Sequence, residues 1–331
     1  MDISILKELS TIPNPSNNEY QIVNYIETFS SGLNNFKFYK TKKQSCIFTS
    51  NTSYTKNILI DAHIDSVHLR VRRVRSDNYV VATPVGFDAG LLDGNTVIHL
   101  ETGSVGTIVT MPPHLKLAKK ESKKELYIDF AMSNNELGIL PGDILIFNPD
   151  FKIMNKKSIL SNGLDNKASV FILLNLLEFY NKHIDKLKYN LTINFSSREE
   201  IGYGSFASVI RNDIDEIVVL DTEVATDNSL ISKDIIGNII LGKGPVVTRN
   251  HDDDPELSKK FINMAKKYKI PYQVAYSSGF GDSNNSFYTQ FFDSYAQFIG
   301  VPLRNMHSPT EVVSIDDLKY TLELLVAYLS T

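Results

Sequence analysis

Apolar and polar positions change period several times along the chain, and each change predicts an element. Residues 2 to 33 carry helical spacing, broken at "TIPNPSNN" (11 to 18) and resumed as an amphipathic run from Glu19 to Phe29. "SCIFTS", around Cys46, reads as a strand. "NILIDAHID" (57 to 65) is a short apolar run ending in polar residues, the pattern of a fully buried strand whose tip lies in a site. From 67 to 156 the runs become short and alternating ("LRVRRV", "NYVVATPV", "GTIVTM", "DILIFNP") and are punctuated by Gly, Pro and Asn. That spacing predicts a small antiparallel barrel or sandwich.

Helix and strand then alternate again. "LDNKASVFILLNLLEFYNK" (164 to 182) predicts a helix that is apolar on most sides and therefore buried. The strand at 191 to 197 puts Leu191, Ile193 and Phe195 on one face and Thr192, Asn194 and Ser196 on the other. "EIVVLD" (216 to 221) reads as a buried strand ending in an acid. An amphipathic helix follows over 253 to 269 with Pro255 near its start, then a strand in "PYQVAYSS". The closing helix "SIDDLKYTLELLVAYL" carries Ser314 as its cap, with Asp317 three residues on as a weaker capping box. The expected architecture is an α/β domain made of residues 1–66 and 157–331, interrupted by an all-β insertion over 67–156.

Composition narrows the partners. A net charge of -4 and a pI near 6.0 give no basis for a nucleic acid or an anionic membrane as partner. The lysines of 116 to 124 are interleaved with Glu and Ser and read as a solvated loop. No apolar run approaches the ~18 residues needed to cross a bilayer, and Asp2, Lys7 and Glu8 interrupt any secretory apolar core. A single cysteine, Cys46, excludes an internal disulfide and fits a reducing cytoplasm.

The candidate chemistry sits where predicted strands and helices end or begin: His63 and Asp65 in "DAHID", Asp165 in "GLDNK", Glu199 and Glu200 in "REEIGYGS", Asp221 in "VLDTE", and His307 in "NMHSPTEV". In an open α/β sheet such ends converge on one site. Five carboxylates gathered without a cation would repel one another. Two divalent cations remove the difficulty, with His63, Asp165, Glu200, Asp221 and His307 as direct ligands: three carboxylates and a hydroxide balance four positive charges. Mixed imidazole and carboxylate donors suit zinc, cobalt or manganese better than calcium or magnesium. Asp165 is the candidate bridge. Glu199 would stand one water away as general acid and base, and Asp65 would hold the other ring nitrogen of His63. His68, His99, His114, His183 and His251 read as structural or surface residues, with His68 nearest the ligand strand.

With "DAHID", "VGTIVTMPPHL", "LPGDILIF", "GLDNKAS", "REEIGYGS", "VVLDTEVATD", "GKGPVV" and "VPLRNMHSPTEVV" in order, nearly the whole chain resembles the cytoplasmic dinuclear-metal aminopeptidases. That family includes glutamyl, deblocking and tetrahedral aminopeptidases, and some members carry the name endoglucanase M. The resemblance implies a mixed-sheet di-metal aminopeptidase catalytic domain with an inserted small β-barrel domain. It also implies hydrolysis of N-terminal peptide bonds, the same five ligands with Asp165 bridging, and Glu199 as base. It implies further that the insertion mediates assembly into dimers and commonly twelve-subunit shells. The chain departs from the family pattern at Ser66, Val67 and His68, at Lys167 in place of the usual Arg, and at Gly279, Phe280, Gly281 and Asp282; these bear on substrate preference rather than chemistry. The rival readings are a di-metal deacylase or carboxypeptidase, a glycoside hydrolase, and a metal-free scaffold of the same fold. Zero tryptophans count against a sugar-stacking cleft.

Overall fold

Three parallel strands at the centre of one large sheet carry the apolar runs of the sequence. In the computed structural model, which describes residues 1–89, 92–111, 125–133, 136, 138–204, 213–276 and 283–331, strand Asn57–His63 lies between Asn190–Ser196 and Glu216–Val224 and is parallel to both. All three are buried along almost their whole length, which is why they read as near-continuous runs rather than half-polar ones. The sheet continues beyond Glu216–Val224 through Tyr295–Arg304, parallel to it, and then antiparallel through Glu311–Ser314, Ser158–Ser161 and Lys152–Met154. On the other side the path ends in Cys46–Ser50 and Phe36–Lys40, also antiparallel, while Val246–Thr248 and Gln273–Ala275 join the sheet off this path through Tyr295–Arg304. The sheet is thus mixed, with an α/β core.

One face of the sheet packs Ile58, Ile60, Ile193, Phe195, Val218, Leu220 and Val301 against the helix Leu164–Lys182 and its neighbours. On the opposite face Leu59, Ile217, Val219 and Phe298 meet Tyr288 of the helix Ser283–Phe291. The alternation over 191–196 is therefore real, but its polar face is not solvated. Asn194 and Ser196 are fully buried and donate to Asp61, itself fully buried on the next strand.

The inserted unit is a closed barrel of His68–Val74, Val80–Val85, Leu126–Asp129, Val105–Ile108, Thr96–His99 and Ile144–Phe147, in that spatial order. Its core is separate from that of the sheet and contains Leu69, Val71, Val80, Val97, Ile128 and Leu145. Lys152–Met154, which the sequence reading places in the insertion, pairs with Ser158–Ser161 in the large sheet. Its three side chains are all exposed, so alternation could not assign it.

Local signals explain most helix ends. Asp254 caps Pro255–Tyr268 by accepting from Leu257 N at 2.8 Å. Ser314 caps Ile315–Leu329 through Asp316 N. Asp317 is not a box partner: buried, it accepts from Gly242 N at 2.6 Å and Gly244 N at 2.7 Å, tying the helix to that loop. Cys46 is buried, and burial pushes its thiol up to about 12, which leaves it an inert packing residue. Among the described residues no helix is long and apolar enough to cross a membrane. His114, the lysines of 116–124 and the 279–282 segment lie outside the described residues.

Candidate active site

The parallel strands bring their carboxyl ends to one edge, and the sequence candidates arrive there from five places in the chain. His63 is the last residue of its strand and Asp221 lies within Glu216–Val224. Asp165 sits in the irregular first turn of Leu164–Lys182, where φ -78° and ψ 103° depart from helical values. His307 occupies the loop between Tyr295–Arg304 and Glu311–Ser314 with φ 58°, in the left-handed region.

Two adjacent glutamates reach the same site because the backbone there is not a strand. The strand ends at Ser196, Arg198 turns left-handed at φ 69°, and Glu199–Ile201 form one 3-10 turn closed by Gly202 at φ 75°. Successive side chains in such a turn diverge by about 120° rather than the half-turn of a strand. Both amides point at one carboxylate: Glu199 N donates to Asp65 Oδ1 at 2.9 Å and Glu200 N to Oδ2 at 3.2 Å.

Ligand atoms fall into two groups, each within 4.8 Å of one another, and both contain Asp165. In the first, His63 Nε2 lies 3.1 Å from Asp165 Oδ1 and 3.3 Å from Asp221 Oδ2. In the second, His307 Nε2 lies 3.3 Å from Asp165 Oδ2 and 3.3 Å from Glu200 Oε2. Donors on a tetrahedron around a cation at ~2.1 Å are ~3.4 Å apart, so these spacings suit a small metal ion. Glu199 stands aside, with Oε2 4.0 Å from His63 Nε2 and its side chain 14% exposed against 4% for Glu200. His63 Nδ1 faces Asp65 twice, at 3.1 Å from its carbonyl oxygen and 3.5 Å from Oδ1.

The electrostatics fit cations. Burial, then the charge of Asp165, holds Glu200 well above the usual carboxylate range. Burial alone would lower His63, but Asp221 and the hydrogen bonds to Asp165, Asp221 and Asp65 outweigh it and raise the imidazole well above its ordinary value. Asp165 is displaced the other way: burial opposes its ionisation, yet hydrogen bonds from His307 and His63 keep it ionised. One carboxylate at the centre thus relies on protons held by its neighbours. Among the described residues Glu200 Oε1 is buried with no hydrogen-bond partner, the kind of orphaned oxygen that a metal ion held by this carboxylate would satisfy.

Glu311 and Ser16 are the residues that sequence reasoning missed. Glu311 is buried and accepts from the amides of both His307 and Asp165; burial, then Asp165, pushes it up to about 8. Ser16 Oγ donates to Asp65 Oδ2 at 2.6 Å. The only sequence signal for Glu311 is its place four residues after His307. Lys167 is buried, donates to Ile12 O at 2.8 Å and is pulled down to about 7 by burial. His68 belongs to neither ligand group and burial pulls it down to about 4. His99 pairs with Asp143 at 3.1 Å, His251 with Tyr276 OH at 3.0 Å, and His183 packs on the Phe179 ring.

The profile of the M42 glutamyl aminopeptidases matches residues 45–324, a span that holds all seven candidates. Lysyl aminopeptidase of Pyrococcus furiosus is 26% identical over 287 residues, covering 82% of this chain and 81% of that enzyme. Among solved structures, a TET aminopeptidase from a marine-sediment Thaumarchaeota archaeon matches with a TM-score of 0.91 at 21% identity, covering 99% of this chain and 95% of the other. The TET1 peptidase of Pyrococcus horikoshii, which can assemble into a tetrahedron or a large octahedral shell, matches with a TM-score of 0.84 at 24% identity, covering 99% and 98%.

Proposed function

The chain belongs to the M42 glutamyl aminopeptidase family, whose members are metal-dependent peptide hydrolases, and we propose that it removes N-terminal residues from peptides using two divalent cations and Glu199 as general base. The observation that carries this reading is the pair of ligand groups sharing Asp165, with Glu199 beside them. His63, Asp165 and Asp221 would hold one cation; Asp165, Glu200 and His307 would hold the other. Bound there, such cations supply Lewis acidity toward the scissile carbonyl and lower the pKa of the attacking water. Imidazole and carboxylate donors favour zinc, cobalt or manganese.

Glu199 would take a proton from the attacking water and return it to the leaving amine. Its partial exposure lets the carboxyl exchange protons, whereas Glu200 is shut away. Asp65 orients the imidazole of His63 and fixes the turn that separates the two glutamates. The domain division follows the same reading, with residues 1–66 and the segment after the barrel carrying catalysis and the barrel carrying assembly into a homo-oligomer. Exposed Val105, Met111 and Leu140 on the barrel unit support that role, and a buried lone cysteine supports a cytoplasmic setting.

The test combines metal analysis of purified protein with a panel of free-amine and N-acylated peptides that includes N-terminal Glu and Lys. Two cations per chain and hydrolysis confined to free-amine substrates are expected. Cleavage of the acylated peptides instead would assign the chain to the deacylases.

A further inference from the structure

Glu311 touches neither the cleft nor a candidate metal position through its own side chain, yet it connects two of the ligands. Its carboxylate divides its oxygens: Oε1 accepts the N–H of His307 at 2.8 Å and Oε2 accepts the N–H of Asp165 at 3.1 Å. The residue is 1% exposed, so its two oxygens are met by these amides rather than by bulk water. Backbone placement gives it this reach. Glu311 opens its strand directly after the His307 loop and pairs across the sheet with Ser161, just ahead of the turn that bears Asp165.

The loop itself needs holding. His307 and Asn305 both take φ 58°, in the left-handed region, which Asn and His enter more readily than other side-chain-bearing residues but still at a cost. Ser308 N donates to Asn305 O at 3.1 Å and Asn305 Nδ2 to Thr310 O at 3.0 Å, which closes the loop on itself. The bond to Glu311 then ties that loop's histidine to the residue that also ties Asp165.

We propose that Glu311 is a positioning residue, a carboxylate clamp that sets the 3.3 Å approach of His307 to Asp165 and thereby builds the cation site formed by Asp165, Glu200 and His307. The inference rests on the metallopeptidase reading. A residue that merely filled the core would change stability when replaced and leave the metal stoichiometry alone.

Glu311→Gln keeps the size and one accepting oxygen but turns an NH2 toward one of the two amides. Cobalt titrations of the wild type and this variant, followed by calorimetry and by visible absorption, read the sites directly. Wild type is expected to bind two equivalents. In the variant one of the two affinities should fall by ~10–100-fold, with kcat falling more than KM changes. Two sites of wild-type affinity in the variant would overturn the clamp while leaving the peptidase reading intact; a wild type that takes up no cobalt would overturn both. If Glu311→Gln does not fold, Glu311→Asp, which keeps the charge and loses one methylene of reach, is judged by the same two-site affinities.

Discussion

Asp65 is a single fully buried carboxylate with four neighbours on its two oxygens. Oδ2 receives Ser16 Oγ and Glu200 N; Oδ1 receives Glu199 N and faces His63 Nδ1. Three of these are hydrogen bonds from two segments of the chain, and the fourth is the approach of the His63 ring at 3.5 Å. Asp65→Asn would set an NH2 against one of these donors, loosening the histidine and the glutamate turn together; kcat should fall ~10–100-fold, checked by steady-state kinetics at matched metal content. Glu199→Gln is expected to act differently. It should lower kcat by ~10²–10⁴-fold and leave two cations per chain by elemental analysis, and turnover near wild type would remove Glu199 from the base role. The side chains proposed to meet metal or water were legible in the sequence because acids and histidines at strand ends are scarce and chemically distinctive. Ser16 and Glu311 were not, because they act on main-chain amides or a second carboxylate, and nothing in residue type marks that.

At the scale of elements, type was legible and polar partnership was not. Ser16-Asn17-Asn18-Glu19 ahead of the helix Tyr20–Ser30 has the form of a capping box. The structure uses it otherwise: Ser16 reaches Asp65, and Glu19 makes no side-chain cap bond, turning inward to accept from Asn17 N at 2.8 Å. Asp317 shows the same diversion at the last helix. Tyr295–Arg304 escaped sequence reading because Gly300 and Pro302 interrupt its apolar run; the glycine is required, since a Cβ there would lie 2.4 Å from Glu223 Cβ. The inward Glu19 has a measurable consequence. Burial first, and Asp65 second, push it from 4.5 up to about 7. Its folded pKa is therefore raised, so its contribution to stability is full below about pH 4.5 and is lost as pH rises through about 7. Ionising it costs on the order of 3 kcal/mol at most. Glu19→Gln stays neutral and should gain ~1–3 kcal/mol on wild type between about pH 5 and about pH 8 in urea unfolding. Parallel pH profiles would clear Glu19 of this cost.

For the whole molecule, the site is a problem of charge assembled from distant segments. His63, Asp165, Glu199–Glu200, Asp221 and His307 meet only after the sheet closes across the inserted barrel. Without cations, the folded protein tolerates this by keeping protons on Glu200 and Glu311, both raised by burial and by Asp165. Raised acids stabilise the fold below their unfolded pKa and cease to do so as pH climbs through the folded value, which for Glu311 is about 8. Cations would replace the proton of Glu200, and their charge beside Asp165 would ease the ionisation of Glu311; their binding energy becomes folding energy. Chelation should therefore abolish hydrolysis and also lower the melting temperature. At ~100 times Kd a ligand contributes ~2.7 kcal/mol, which in a chain of this size corresponds to roughly 5 °C. The gap between metal-loaded and stripped protein should widen from about pH 5 to about pH 8, because only the stripped form loses its compensating protons, and zinc, cobalt or manganese should close it. Scanning calorimetry at the two pH values decides the matter: a melting temperature indifferent to chelator, or a gap that narrows with rising pH, would mean that the acids of this site are held together by something other than cations.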